Sequence, residues 1–195
     1  MRAGAPAAMP TGLLLAAGSA RRFGGGKLLA KLPDGCPVGV AACRTLLAAL
    51  PEVVAVVRPG DDALAAALAE AGARVVVCER AHEGMGASLA CAVDSAPDAA
   101  GWVVALADMP WVRADTVRAV AEAIRDGASI AAPFVGGERG HPTGFACSHR
   151  AHLAALTGDQ GARSLVGRAG DALVRIVVDD PGVLRDIDTP ADLPP

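Results

Sequence analysis

The sequence predicts an α/β fold, a three-layer α/β/α sandwich in which helices cover both faces of a mostly parallel, mixed sheet. Three observations carry that expectation. Residues 12–16, 53–57 and 102–107 are short unbroken apolar runs, as strands buried on both faces are. Segments with helical apolar spacing lie between the runs, which is the alternation of βαβ units. Glycine and proline turn signals, such as Pro33-Asp34-Gly35 and Pro59-Gly60-Asp61, separate them.

In chain order, Gly12-Leu13-Leu14-Leu15-Ala16 reads as the first strand, set in the middle of the sheet. Residues 38–50 form a helix that stops before Pro51, and the β-branched run 53–57 is a strand. Asp61 caps an Ala/Leu helix ending near Gly72, and 74–78 is the next strand. A polar connection, 79–86, leads into a short helix at 87–93. The strand 102–107 ends at Asp108-Met109-Pro110, a helix spans 115–125, and 129–134 and 143–147 are strands. Ser148 caps a helix through Ala155, and a short helix covers 162–168. Residues 173–178 and 184–186 are closing strands, before a last turn in which Thr189 caps and Pro190 follows.

Composition bounds the possibilities. The chain has 195 residues, enough for a real core, with residues 1–10 as a loose tail and 11–195 as a single domain. It is 52% hydrophobic with a formal net charge of -3 and no basic run beyond Arg21-Arg22, which speaks against nucleic-acid or anionic-membrane partners. No apolar stretch approaches the ~20 residues needed to span a bilayer. Aromatic residues make up only 3%, so base stacking on aromatic platforms is not expected. Five cysteines, an odd number without a CxxC pair, imply free thiols in a reducing, cytoplasmic compartment.

The chemistry concentrates at the ends of the apolar runs. LLLAAGSARRFGGGK, Leu13 to Lys27, is a strand running into small residues, two arginines, three glycines and a lysine. Ala16, Ala17, Gly18 and Ser19 are small enough for close backbone approach, and Arg21, Arg22 and Lys27 suit phosphate oxygens, so the loop reads as a seat for a nucleoside triphosphate, with Leu15, Ala16, Ala17, Gly18, Arg22 and Lys27 as its binding residues. It fits neither a P-loop, since Arg21 and Leu28 stand where Gly and Ser or Thr belong, nor a G-x-G-x-x-G fingerprint. Asp108 follows an apolar strand directly and faces the same sheet edge, a position suited to Mg²⁺ held by one or two carboxylates plus substrate phosphates. Asp186 and Asp188 fall on one face of an extended Asp186-Ile187-Asp188, with Asp186 the expected second metal ligand and Asp188 or Thr189 available for capping.

Gly84-Met85-Gly86-Ala87-Ser88 opens a helix, where free N–H groups and the Ser88 hydroxyl can meet an anion or a base edge. The same stretch nearly matches a nucleophile elbow, with Asp108 and His141 following in hydrolase order, although the polar residues before it do not read as the strand an elbow requires. In Gly136-Gly137-Glu138-Arg139-Gly140-His141-Pro142, Arg139 and His141 are candidates for an anionic co-substrate. His149 and His152 read as surface residues, and the cysteines lack zinc spacing.

LLLAAGSARRFGGGK, GMGASLACAV, LADMP, GERGHPTGF, GDQGARSLV and DIDTPADL occur in an order that resembles the molybdenum cofactor cytidylyltransferases and their close relatives. The resemblance implies a nucleotide-diphospho-sugar transferase-like fold and Mg²⁺-dependent transfer of CMP from CTP to molybdopterin. It also implies transient contact with a molybdoenzyme or its chaperone. It places base and triphosphate on Ala16, Ala17, Gly18, Arg22 and Lys27, the metal on Asp108, and Ser88 near the nucleotide. Phe23, Gly26 and Gly86 depart from the family's usual methionine, proline and serine. A relative that uses GTP or CTP on a sugar phosphate or a small phosphorylated acid stays open. So do a serine hydrolase and a silent nucleotide-binding module.

Overall fold

Strand β1 (Thr11–Leu15) is buried at every residue and lies between two parallel neighbours, β2 (Val53–Val57) and β4 (Gly101–Leu106). The molecule is seen in a computed structural model that describes residues 8–20, 23–159 and 161–193. Among these, β3 (Arg74–Val77) extends the parallel half beyond β2. On the other side β7 (Thr143–Ala146) runs antiparallel between β4 and β5 (Ile130–Val135). The hairpin strand β6 (Glu138–Arg139) and the parallel strand β8 (Leu173–Val177) both pair with β5. The described strands form one mixed sheet in the order β3-β2-β1-β4-β7-β5-β6, with β8 joined to β5.

The helices are α1 (Val38–Leu47), α2 (Asp62–Glu70), α3 (Met85–Ser95), α4 (Ala114–Arg125), α5 (Arg150–Ala154) and α6 (Arg163–Arg168). The period of two along a strand divides the core between the faces. Leu14, Val53, Ala55, Val57 and Val103 pack with residues of α1, α2 and α4. Leu13, Leu15, Val54, Val56, Trp102 and Val104 pack with residues of α3, α5 and α6. Three layers follow directly. Each fully buried leucine or valine contributes ~1.5–3 kcal/mol relative to exposure. Helix α4 lies so close to the sheet that a Cβ on Gly144 would stand 2.6 Å from Ile124 Cγ1.

Most expected elements are present, with ends displaced by a few residues. Helix α1 ends at Leu47 rather than at residue 50, and α3 begins earlier than expected, at Met85. Residues 184–186 are not a strand. A 3-10 turn, Pro181–Leu184, runs up to its first residue, held by the buried Asp180 carboxylate that accepts from the Gly182 N–H at 3.1 Å, and 185–186 follow without regular structure. That carboxylate also takes the Arg113 N–H at 2.9 Å and the Thr116 hydroxyl at 2.7 Å, closing the start of α4 from 64 residues away. Asp61 stands at the start of α2 but makes no capping bond; the Arg58 guanidinium holds it at 2.9 Å. His149 is not a bare surface residue, since its Nε2 meets the Ser129 hydroxyl at 2.8 Å. Of the expected tail, residues 1–7 lie outside the described residues, and Met9 packs against the α4 side of the core.

Candidate active site

The loop after β1 begins with its backbone already engaged. The Ala16 N–H donates to Val56 and the Leu15 carbonyl accepts from Ala107, so β1 is stitched to both neighbours up to its last residue. The side chains of Leu15, Ala16 and Ala17 are buried. What this stretch can offer a ligand therefore starts with the backbone around Ala17 and the exposed Gly18. Arg22 lies outside the described residues. Gly24, Gly25 and Gly26 all take positive φ, with Gly26 at 65°. Proline cannot adopt that angle, which this loop conformation reserves for glycine. A cavity of about 250 Å³ opens beside the loop, lined by Gly18, Ala20, Gly26, Lys27, Arg58 and Asp61 among others.

The loop ends in a 3-10 turn, Lys27–Leu29, that carries the lysine inward until only 9% of it is exposed. A charge that deep requires a partner. Lys27 Nζ donates to Asp108 Oδ2 at 2.7 Å and stands 3.9 Å from Asp188 Oδ1. Asp108 is where the sequence expects it, just past the end of β4. The Ile187 N–H donates to the Asp108 carbonyl at 3.0 Å, which ties the C-terminal segment to this point. Ile187 is fully buried, and Asp186 and Asp188 flank it on the side of Asp108 and Lys27. Desolvation raises the Asp186 carboxyl above the usual carboxylate range, and the charges of Asp108 and Asp188 add to that; Lys27 opposes it. Thr189 begins the last turn, and the Asp192 carboxylate accepts from the Asp188 and Thr189 N–H groups.

These residues fit a divalent cation of the kind that substrate completes. Crowded carboxylates raise one another's proton affinity, and a cation between them relieves that strain. Among the described residues no three acidic, imidazole or thiol groups form a closed metal cage. The arrangement is an open one, with Asp108 and Asp186 as the available oxygen donors.

Farther along the same edge, β7 starts opposite the end of β4, with Thr143 paired to Val104. The preceding loop is pinned by two backbone bonds, Gly140 N–H to Pro133 and His141 N–H to Val183 at 2.9 Å each. His141 Nδ1 is buried and has no hydrogen-bond partner among the described residues. Such an unpaired atom costs about 1–3 kcal/mol. Desolvation lowers the His141 pKa to about 4; Arg139 and Arg163 lower it further, while Asp108 opposes them. The ring is neutral near pH 7. Arg163 was not a candidate from residue chemistry, and its one signal was its place in GDQGARSLV.

Ser88 is buried inside α3, where its hydroxyl donates to the Gly84 carbonyl at 3.3 Å. A 3-10 turn, Ala81–Glu83, precedes it rather than a strand, so the nucleophile-elbow geometry is absent here. Gly86 is a packing requirement: a Cβ there would stand 2.6 Å from the Thr157 carbonyl oxygen, and its N–H donates to Gly158 at 2.7 Å.

A Gly-rich loop and a lysine–carboxylate pair at the carboxyl edge of such a sheet define a nucleotide-using α/β transferase, and solved structures agree. The crystal structure of Rv0371c from Mycobacterium tuberculosis is 31% identical over 95% of both chains, with a TM-score of 0.84. A second crystal structure of that protein, in complex with manganese, matches at 28% identity and a TM-score of 0.76, covering 94% of this chain and 95% of the other. A nucleotidyl transferase from Methanothermobacter thermautotrophicus is 25% identical over 94% of both chains, with a TM-score of 0.81. The molybdopterin-guanine dinucleotide biosynthesis protein A of Archaeoglobus fulgidus, 19% identical over 94% of both chains, shares the fold at a TM-score of 0.67. No curated protein matches the chain. The family model described as the MobA-like NTP transferase domain matches residues 12–173, and the chain belongs to that family of nucleotidyltransferases. Among the described residues no helix is long and apolar enough to cross a membrane.

Proposed function

We propose that the protein transfers CMP from CTP to the terminal phosphate of molybdopterin, with Mg²⁺ held by Asp108 and Asp186. An acceptor phosphate oxygen forms a bond to the α-phosphorus of CTP. The bond from that phosphorus to the oxygen bridging to the β-phosphorus breaks, and its electron pair leaves with pyrophosphate. Little covalent help is needed from the protein, so positioning and charge neutralisation do most of the work. Lys27 and Arg22 counter the triphosphate charge, and the backbone near Ala17 and Gly18 lets the nucleotide lie close to the sheet edge. When bound, Mg²⁺ draws electron density from the phosphate oxygens.

The observation that carries this reading is the 2.7 Å pair between buried Lys27 and Asp108, with Asp186 and Asp188 brought beside it by the C-terminal segment. The manganese complex of Rv0371c supports a divalent cation. The six ordered motifs support molybdopterin as acceptor and CTP as donor, and the family membership supports a nucleoside triphosphate as the donor class. Pyrophosphate release with Mg²⁺ and each of CTP, GTP, ATP and UTP, with and without molybdopterin, tests it. Release that requires molybdopterin and favours CTP is expected. Release with GTP, or with a sugar phosphate in place of molybdopterin, would assign a related transferase instead.

A further inference from the structure

Strand β8 stands at a free edge of the sheet. Among the described strands it pairs with β5 alone, and Phe134 of β5 has Arg139 of β6 on one side and Val177 of β8 on the other. The Val178 N–H donates to the Phe134 carbonyl at 3.0 Å, so the backbone groups of Ile176 and Val178 turn towards β5. By the alternation of a strand, those of Leu173, Arg175 and Val177 turn outward. Proteins commonly blunt such edges with proline, lysine, a bulge or a covering element. The sequence LVRIV has neither proline nor lysine, and the strand is uncovered: Val174 is 42% exposed and Val177 85%, the highest value among the described large apolar side chains.

We propose that β8 is a docking edge for a second copy of this chain, whose own β8 adds antiparallel across a two-fold axis at Val177. A two-fold pairing sets the same surface against itself, so the register decides which charges meet. Centred on Arg175, it would oppose two guanidiniums. Centred on Leu173, it would oppose Arg175 and Asp171, but Asp171 lies in a 3-10 turn and Val177 would stay beyond the ladder. Centred on Val177, it covers the most exposed valine with its own copy and sets Arg175 opposite Asp179 of the second copy, at both ends of the pairing. Opposite charges facing across strands are favourable, and like charges are not. Arg175 lies over the Phe134 ring at 4.0 Å, and Arg113 Nη1 holds the Asp179 carbonyl at 2.7 Å without using its carboxylate. Both side chains are exposed. At the other edge, β3 offers no such match, because Arg74 is held by Glu52 at 3.1 Å. Strands β5 and β7 separate β8 from β4, so docking leaves the Lys27–Asp108 site open. Five residues a side make a small interface, which gives reversible, concentration-dependent association.

Sedimentation equilibrium of the full chain over roughly 1–500 µM tests this independently of the reaction. The wild type is expected to move from the mass of one chain towards that of two as concentration rises. Val177→Lys is expected to weaken association at least about tenfold with an unchanged far-ultraviolet dichroism spectrum, since residue 177 faces outward. Arg175→Glu and Asp179→Arg should each weaken it about three- to tenfold, and the double variant should recover most of the loss. In a Cys147→Ser background, a short bis-maleimide should link Val177→Cys chains in pairs well above the parent. Val174→Cys chains should link far less, because two copies of residue 174 stand roughly 20 Å apart in this register. A wild type that stays a single chain at every concentration overturns the proposal. So does a dimer that Val177→Lys leaves intact, a double charge swap that recovers nothing, or stronger linking at residue 174 than at 177.

Discussion

Around Lys27 two carboxylates stand at 2.7 and 3.9 Å from one ammonium, whereas around His141 two guanidiniums act on a neutral ring and, among the described residues, none of the three has an acidic partner in contact. The two regions lie along one sheet edge and share Asp108, whose charge is felt at both. At the first, the protein supplies its own counter-ion, so a cation and a triphosphate must displace an existing contact. At the second, the described residues place no acidic group in contact with the positive charge. The difference gives each region a distinct response to mutation.

The largest effect is expected at the shared residue. Asp108→Asn removes a charge from both regions, and kcat for pyrophosphate release should fall by about 10²–10³-fold with an unchanged far-ultraviolet dichroism spectrum. Near-normal turnover in that variant would break the comparison at its centre.

The His141 region is probed by pH. Folded His141 takes up its proton near pH 4, against 6.5 for the free side chain. Between those values the unfolded chain binds more protons, so stability falls as the pH drops from 6.5 towards 4 and the contribution is lost below both. The total is of order 3 kcal/mol. Urea unfolding at pH 7 and pH 4.5 should show a smaller acid loss in His141→Gln than in wild type. Equal losses would mean that the ring is not held neutral by its surroundings.

Lys27→Met sharpens the contrast because its two readouts move in opposite directions. With the ammonium gone, Asp108 and Asp186 are left to a metal, and Mn²⁺ without nucleotide should bind about tenfold more tightly, ~1.4 kcal/mol. Turnover should fall in the same variant. Weaker Mn²⁺ binding would show that Lys27 organises the carboxylates rather than competing for them.

The smallest effect lies in the segment joining the two regions. Arg185 stacks over the Trp111 ring at 3.6 Å, next to Asp186. Arg185→Ala should lower stability by ~0.5–1 kcal/mol in thermal or urea unfolding, with a modest loss of activity.

How much of this was legible follows from how local each cause is. Leu13 to Lys27 and Asp108 could be read because a doubly buried strand is apolar at every residue and because ligands gather at the carboxyl ends of such strands. Asp186 and Asp188 were legible as a pair on one face because Ile187 between them is a core residue. Asp180 was not, since its partners are Arg113 and Thr116, and no local pattern announces a cap from that far away. The expected strand at 184–186 is absent as well: a 3-10 turn, Pro181–Leu184, ends there, and residues 185–186 run on without regular structure. The room that Gly84 and Gly86 leave for Thr157 and Gly158 was hidden for a similar reason, being contact across the fold rather than periodicity. Ser88 looked available in sequence but is spent on the Gly84 carbonyl.

The most direct measurement is anomalous diffraction at the manganese edge from crystals grown with Mn²⁺ and a non-hydrolysable CTP analogue. The account predicts a manganese peak in contact with Asp108 and a phosphate oxygen, with Lys27 Nζ drawn from Asp108 onto the triphosphate. A peak elsewhere, with the Lys27–Asp108 pair intact beside bound nucleotide, would contradict it.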